Sequence, residues 1–96
     1  MDKSYYVYIL ASSKNGTLYI GVTSNLIKRV WQHKNNIAEG FTKKYSIHQL
    51  VYFEKYENIE DAIKREKQLK KWNRNWKVVL IEKVNQNWND LYIEII

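Results

Sequence analysis

The 96-residue sequence contains no cysteine and no proline, only three glycines and only two histidines. Without cysteine, neither a disulfide framework nor a thiolate metal site can form. Two histidines cannot complete a structural zinc site unless carboxylates supply the remaining ligands, so we do not expect structural zinc. The fold must therefore depend on a modest hydrophobic core, as is usual for a chain of this size.

Long apolar segments are also missing from the sequence. No stretch approaches the ~20 apolar residues that a membrane-spanning helix needs. The apolar run in the N-terminal MDKSYYVYILASS is too short for a signal sequence and follows an acidic residue at position 2. We therefore expect a cytoplasmic protein without membrane contact, folded as one domain with its core at about 4–84 and a C-terminal tail at 85–96.

Aromatic and basic residues are abundant instead. Phe, Tyr and Trp make up 15% of the chain, with eight tyrosines and four tryptophans, and most of these rings are expected to pack in the core. Sixteen Lys and Arg residues oppose ten Asp and Glu residues, which gives a net charge of +6. Such a balance favours a polyanionic partner, although it says nothing about the fold.

The N-terminal third of the chain predicts a hairpin followed by a helix. Residues 5–10 and 18–22 are rich in Tyr, Val and Ile, and the Asn-Gly pair at 15–16 between them is a strong hairpin signal. Any of residues 23–25 can cap the following helix, in which Leu26, Val30 and His33 recur at helical spacing, with Arg29 beside them. Arg29 and His33 should therefore lie on or near the helix face that meets the sheet.

The remainder of the chain predicts one strand and two helices. Residues 37–46 are polar and predict a loop, and 48–56 alternate as a strand that places Leu50 with Tyr52 on one face. Asn58, with Asp61 three residues later, resembles a capping arrangement. The helix that it opens has one face formed by Ile59, Ala62, Ile63, Glu66 and Leu69. In the next helix, the helical spacing is carried by Trp76, Val79, Leu80 and Lys83. Residues 85–96 fit either a short strand or a packed tail.

The order strand, strand, helix, strand, helix, helix predicts an α+β fold, in which about three helices cover a small antiparallel sheet.

Glu66 interrupts an apolar stripe, and a carboxylate held towards a core is costly unless it is paired or bound to a metal. A salt bridge to Arg29, or a side chain that extends to solvent, would explain Glu66 without any function. Taken alone, Arg29 and His33 fit a solvated helix face, and Tyr8 and Tyr19 fit a cross-strand aromatic pair.

The segment 64–77, KREKQLKKWNRNWK, contains seven of the sixteen basic residues and one acid. Basic groups interleaved with flat rings suit contacts to phosphates and stacking on bases or sugars, although a solvated helix with tryptophans in the core is the simpler interpretation. The candidate nucleic-acid contacts are Lys64, Arg65, Lys67, Lys70, Lys71, Trp72, Arg74 and Lys77.

The sequence resembles a GIY-YIG nuclease domain, and in detail the small stand-alone bacterial members that consist of little else. The two signature triplets of the family are matched by Tyr6-Val7-Tyr8 and Tyr19-Ile20-Gly21, the first with Tyr where Gly is usual. An Arg followed four residues later by His is matched by Arg29 and His33, and a Glu on a later helix by Glu66. A family Asn that follows the Glu has several candidates, of which Asn85 and Asn87 are favoured.

The resemblance implies a three-stranded antiparallel sheet flanked by helices, and phosphodiester hydrolysis with one Mg²⁺ or Mn²⁺ held by Glu66. It also implies that Tyr8 or Tyr19 takes a proton from water, that His33 holds a tyrosine hydroxyl and that Arg29 clamps the phosphate. Because a free tyrosine has a pKa of about 10, this role requires a lowered pKa, to which Arg29 and the metal would contribute.

The expected substrate is nucleic acid, DNA rather than RNA. The alternatives are a non-catalytic nucleic-acid-binding module on the same fold, or a protein-interaction module that uses Trp88 and the LYIEII tail. The sequence does not indicate the substrate structure, the sequence specificity or the oligomeric state.

Overall fold

The computed structural model describes residues 3–37 and 40–96. It confirms an α+β fold with a three-stranded antiparallel sheet in the order β2-β1-β3. The elements are β1 (Tyr5–Ala11), β2 (Leu18–Thr23), α1 (Leu26–Lys34), α2 (Phe41–Lys44), β3 (Gln49–Tyr56), α3 (Ile59–Lys71), α4 (Arg74–Val84) and α5 (Tyr92–Ile95).

Two of these helices, α2 and α5, have four residues each and were not predicted. Helix α2 occupies part of the stretch that was expected to be a loop, of which residues 38 and 39 lie outside the described residues. Helix α5 occupies the C-terminal segment, so the alternative of a short strand there is wrong. Both helices are too short to carry an apolar stripe of several turns, so periodicity does not reveal them.

The β1–β2 hairpin follows the prediction, although its connection is longer than a two-residue turn. Ala11 pairs with Leu18, and the six residues between them include Asn15 in the left-handed conformation with φ of 60°. Gly16 N–H donates to the Ser13 carbonyl at 2.9 Å, which closes the turn. Asn15 tolerates this conformation because its short polar side chain is among the few that do.

The central strand β1 separates two hydrophobic cores, because its successive side chains point to opposite faces of the sheet. Val7 and Ile9 are fully buried in the core that Leu69 of α3 and Ile81 of α4 also enter. Tyr8 and Leu10 face the other side, where Leu26 and Val30 of α1 complete the second core. Helix α1 thus covers the face of the sheet on which Tyr8 lies.

A bulge in β3 breaks the predicted alternation of this strand. Leu10 pairs with Leu50 and Ile9 pairs with Tyr52, so Val51 is an additional residue on β3. As a result Leu50 joins the core under α1, whereas Val51 and Tyr52 both join the core under α3 and α4. The expectation that Leu50 and Tyr52 share a face is therefore wrong. The extra residue in the bulge shifts the alternation by one, so the side chains that follow it point to the opposite face of the sheet.

The helix caps agree with the prediction. In α1, the Asn25 side chain accepts a hydrogen bond from Lys28 N–H at 3.1 Å, and Leu26, Val30 and His33 are buried. In α3, the Asn58 side chain accepts from Glu60 N–H at 2.7 Å. Both asparagines satisfy a backbone N–H that has no partner within its helix.

The inner faces of α3 and α4 are rotated relative to the prediction. In α3, Ala62 and Leu69 are buried, but Ile59 and Ile63 remain 40% and 37% exposed. In α4, only Ile81 is fully buried, and the side chains expected in its apolar stripe, Trp76 and Val79, are 57% and 66% exposed. Trp76 is therefore not the core residue that was expected. Apolar spacing alone cannot fix the phase of a helix with apolar residues on several sides.

The C-terminal segment packs onto both cores. Trp88 is 2% exposed in the core under α3 and α4, and Leu91 N–H donates to the Leu50 carbonyl at 2.7 Å. Asp90 forms an ion pair with Lys34 of α1 and accepts a hydrogen bond from Leu50 N–H at 3.1 Å. Across 3–37 and 40–96, every helix is too short or too polar to cross a membrane.

Candidate active site

Tyr8 and Tyr19 stand on the same face of the sheet, beneath α1. Tyr8 pairs with Gly21, and Tyr19 pairs with Leu10, two positions further along β1. Their ring centroids are 6.4 Å apart at an angle of 41°, so the cross-strand aromatic contact expected from the sequence exists. Tyr8 is buried at 1% exposure, whereas Tyr19 is only partly buried. The two hydroxyls therefore differ in their access to water.

His33 of α1 joins these two tyrosines. Its Nε2 lies 3.2 Å from the Tyr8 hydroxyl, and its ring centroid lies 5.4 Å from that of Tyr19. The predicted hydrogen bond between His33 and a tyrosine hydroxyl is thus present, with Tyr8 as the partner. At 1% exposure, His33 does not belong to a solvated helix face.

Thr42 of α2 binds the opposite side of the His33 ring. Its Oγ1 lies 2.8 Å from Nδ1, and the Thr42 side chain is almost completely buried. The sequence gives no signal for this residue, because Thr42 lies in a polar stretch without periodicity. Only the tertiary fold, which places α2 against the end of α1, brings the hydroxyl to the imidazole.

Burial keeps the imidazole neutral. It lowers the pKa of His33 to about 4, and the positive charges of Arg29 and His48 act in the same direction. At neutral pH, His33 therefore carries one proton, on either Nδ1 or Nε2. Each nitrogen has a partner, since Thr42 faces Nδ1 and Tyr8 faces Nε2.

Arg29 is partly buried beside the Tyr8 hydroxyl and donates a hydrogen bond to Gln32 Oε1 at 3.1 Å. Burial raises the pKa of Tyr8 to about 12, and this effect outweighs Arg29, which favours the phenolate. The influence of Arg29 on this pKa has the predicted direction, and the net lowering, to which a bound metal was also expected to contribute, stays a prediction. In the protein alone, the Tyr8 hydroxyl is protonated at neutral pH.

Glu66 lies on the inner side of α3 with its side chain 14% exposed. Its carboxylate is near enough to the Tyr8 hydroxyl to contribute to the raised pKa of Tyr8. Its ion-pair partner is Lys70, one turn later, at 3.2 Å. Within the part of the chain that the structure describes, Glu66 makes no salt bridge to Arg29, so this simple explanation of its inward position does not hold.

A divalent cation at this site would have the carboxylate of Glu66 as its protein ligand. Among residues 3–37 and 40–96, no three His, Asp or Glu side chains form a cluster that could hold a metal. Glu66 supplies one carboxylate, and Mg²⁺ commonly uses one or two carboxylates together with waters and substrate phosphate oxygens. A site of this kind would bind metal weakly until a phosphate is present.

Arg65 differs from the other basic residues of the segment 64–77. Its guanidinium donates to both carboxylate oxygens of Glu54 at 3.0–3.3 Å and stacks over Trp72 at 5.1 Å. Glu54 also accepts from the hydroxyls of Tyr52 and Tyr56. Burial alone would raise the pKa of Glu54, but the hydrogen bonds from Arg65 and the tyrosines hold it below its usual value. The fold therefore already engages the Arg65 side chain.

The remaining basic side chains of this segment lie at or near the surface, and those of α3 are all exposed. Arg74 donates two hydrogen bonds of 2.7 Å to the carbonyls of Asn15 and Gly16, which ties the start of α4 to the hairpin. Arg74 and Lys77 line an open groove of about 480 Å³ beside this turn. Trp72 is half-buried and meets the exposed Trp76 edge-on at 5.7 Å.

The asparagines favoured for the family position lie in different environments. Asn85 is buried, donates to the carbonyls of Val51 and Asn89, and accepts a hydrogen bond from Asn89 N–H. These bonds hold the end of α4 against β3, so the fold engages this side chain. Asn87 is exposed in the following turn.

The structure thus gathers two tyrosines, a histidine and an arginine beside a glutamate in a small α+β domain. The GIY-YIG catalytic domain family matches residues 4–79. The chain belongs to this family.

The relatives of the chain are small proteins that it matches over most of their length. It is 45% identical over 76 residues to a UPF0213 protein of Clostridium perfringens, with 79% of this chain and 81% of the relative covered. It is 38% identical over 81 residues to a UPF0213 protein of Staphylococcus saprophyticus, with 84% and 96% covered. The solution NMR structure of the UPF0213 protein BH0048 from Bacillus halodurans is similar at a TM-score of 0.57 and 25% identity, over 91% of this chain and 92% of that chain. This member of the GIY-YIG superfamily is therefore similar, over most of its length, to small proteins of the same superfamily.

Proposed function

We propose that this protein is a divalent-metal-dependent endonuclease that hydrolyses phosphodiester bonds in DNA. The observation that carries the proposal is the hydrogen bond between Tyr8 and His33, made inside a cluster that also contains Tyr19 and Arg29. A solvated helix face would not bury His33 at 1% exposure against a tyrosine hydroxyl.

Hydrolysis of a phosphodiester needs a water molecule that loses a proton, a charge clamp on the phosphate and stabilisation of the developing negative charge. Tyr8 would accept the proton of the water as a phenolate, after releasing its own hydroxyl proton to solvent. Arg29, and the positive charge of a bound cation, would favour this ionised form of the hydroxyl held between Arg29 and His33. Tyr19, which is more accessible, would orient the water. The guanidinium of Arg29 would bind a non-bridging phosphate oxygen, for which its fixed donors are suited.

Glu66 would hold Mg²⁺ or Mn²⁺ at the edge of this cluster. The ion would supply positive charge for the anionic oxygens of the reacting phosphate. Lys70, which pairs with Glu66 at 3.2 Å, would be free to contact a neighbouring phosphate once the carboxylate binds the cation.

The exposed cations on both sides of Glu66 in α3, together with those at the start of α4, support a nucleic-acid substrate. Lys64, Lys67 and Lys71 are exposed on α3, and Arg74 and Lys77 continue the positive charge towards the hairpin. Neutralisation of several phosphates by such cations is the main source of affinity in sequence-independent binding to nucleic acid. Arg65 is not included in this surface, since Glu54 binds its guanidinium.

Glu66→Gln tests the proposal, with Glu57→Gln as the matched control that removes the same charge from an exposed site outside the cluster. We expect Glu66→Gln to lose cleavage of supercoiled plasmid and branched DNA in Mn²⁺, while its melting temperature and DNA binding stay close to those of the parent. Glu57→Gln should cleave normally. Retention of the parental cleavage rate by folded Glu66→Gln would rule out the metal role of Glu66. Absence of metal-dependent cleavage by the parent on every DNA and RNA substrate tested would argue for the binding-module alternative.

A further inference from the structure

We propose that Thr42 is a positioning residue that fixes the protonated nitrogen of His33 as Nε2, so that the imidazole donates its hydrogen bond to the Tyr8 hydroxyl oxygen. The structural part of this inference concerns three side chains of the folded protein. Its catalytic consequence rests on the proposed function, in which Tyr8 accepts a proton.

The three side chains form a buried chain of hydrogen bonds. Thr42 Oγ1 lies 2.8 Å from His33 Nδ1, and His33 Nε2 lies 3.2 Å from the Tyr8 hydroxyl. Their exposures are 2%, 1% and 1%, so water does not compete for these contacts. A neutral imidazole has one donor and one acceptor nitrogen, and the two contacts therefore determine each other's direction.

The direction follows from the proton of Thr42. Burial of a hydroxyl whose proton has no acceptor costs about 1–3 kcal/mol of folding free energy. Within 3–37 and 40–96, the hydrogen bond that the Thr42 hydroxyl makes is to His33 Nδ1. Thr42 therefore donates to Nδ1. Nδ1 must then be the unprotonated nitrogen, and Nε2 carries the proton that points at Tyr8.

This arrangement makes the Tyr8 oxygen a hydrogen-bond acceptor from its neighbours. Nε2–H donates to that oxygen, and Arg29, which is also next to it, has only donors to offer. The proton of Tyr8 is consequently not directed at His33. With the opposite tautomer, Tyr8 would donate its proton to Nε2 and the hydroxyl would lose the donor that stabilises its ionised form. The low pKa of His33, about 4, keeps the imidazole neutral so that the tautomer matters.

Nitrogen-15 NMR of the His33 side chain in the folded, metal-free protein tests the structural part directly. In the parent protein, we expect Nδ1 to resonate as an unprotonated imidazole nitrogen and Nε2 as a protonated one. Thr42→Val removes the hydroxyl with little change of shape and should move the population towards the form protonated at Nδ1. Thr42→Ser keeps the hydroxyl and should retain the parental spectrum. A parent protonated at Nδ1 would overturn the inference, as would an unchanged tautomer in Thr42→Val.

The kinetic part uses the same pair of variants. Hydrogen-bond partners that orient metal-binding histidines typically affect activity by about 10–100-fold. By analogy, Thr42→Val should slow single-turnover cleavage by roughly 10–100-fold at saturating DNA. Thr42→Ser should restore most of the rate, which a general loss of packing would not predict. Parental cleavage by Thr42→Val would overturn the positioning role. If no variant or parent cleaves nucleic acid, the proposed function fails, while the NMR result still decides the tautomer.

Discussion

The Tyr8 hydroxyl occupies the space in which a side chain of Gly21 would lie. A Cβ atom added to Gly21 would come within 2.4 Å of the hydroxyl oxygen and 2.5 Å of Cζ of Tyr8. The two residues are directly paired across β1 and β2, and the Tyr8 ring lies over the Gly21 backbone. Position 21 requires glycine because the Tyr8 ring lies close to its backbone, and not because its backbone angles are unusual.

Gly21→Ala should therefore destabilise the protein by about 1–3 kcal/mol, as overpacking of a filled core does. Tyr8 is 1% exposed and cannot move aside without disturbing α1. Chemical denaturation of Gly21→Ala, Tyr8→Ala and the double variant would measure the coupling between the two sites. We expect most of the cost of Gly21→Ala to disappear when Tyr8 is alanine. An equal cost in both backgrounds would show that the strain arises elsewhere.

The stability of the protein should fall as the pH decreases from about 6.5 to about 4. His33 has a folded-state pKa of about 4, below the value of about 6.5 that it has when unfolded. Between these values the unfolded state binds more protons, so the free energy of unfolding rises with pH through this window. The contribution of His33 is complete above about pH 6.5, and amounts to about 3 kcal/mol at 1.36 kcal/mol per pKa unit.

Denaturation curves of the parent and of His33→Gln between pH 4 and 7 would measure this contribution. The difference in stability between parent and His33→Gln should shrink as the pH falls. His48→Gln should change this pH dependence only slightly, since His48 is the smallest of the named causes that lower the pKa of His33 and bonds to Asn36 at an exposed site. An identical pH dependence for parent and His33→Gln would contradict a neutral, buried His33.

Binding to duplex DNA should weaken with salt, and the exposed lysines of α3 should set part of the slope. If Lys67 and Lys71 each contact one phosphate, the double change to Ala should make the log–log slope shallower by about 1.8, or about 0.9 for each contact. Lys3 and Lys55, also exposed, provide a control pair of equal charge outside the segment 64–77. A slope that changes only in the control pair would place the DNA on another surface.

Arg65 should affect stability more than DNA binding, in contrast to its exposed neighbours. Arg65→Ala leaves the carboxylate of Glu54, whose side chain is 17% exposed, without its bidentate partner. We expect a loss of about 1.5–3 kcal/mol, because a hydrogen bond to a charged group typically contributes this much. Lys67→Ala should change stability by less than about 0.5 kcal/mol. Thermal denaturation compares the stabilities of the two variants. Equal stabilities would show that the contact between Arg65 and Glu54 contributes little to the stability of the fold.

Local signals in the sequence predict much of the fold. The Asn-Gly turn fixes the hairpin, and Asn25 and Asn58 mark the starts of α1 and α3, because these effects act within a few residues. Helical spacing in α1 also brings Arg29 and His33 to the sheet, beside the tyrosines of the hairpin. These parts of the candidate site depend on elements that are adjacent in sequence.

Interactions between distant segments account for what the sequence does not predict. The bulge at Val51 and the bond between Arg65 and Glu54 depend on how β3 meets its neighbours, and spacing along one strand or helix does not contain this information. The contact of Thr42 with His33 likewise needs the tertiary fold. Burial of Tyr8, which decides the direction of its pKa shift, is known only once α1 covers the sheet.

The packing of residues 85–96 has a consequence for where the folding unit ends. Trp88 closes one core, and Leu91, Tyr92 and Ile95 pack against the other, so these residues complete both faces of the sheet. The family match ends at residue 79, and a fragment cut at that point would lack part of both cores. The unit that folds cooperatively therefore extends beyond the segment that the family match covers.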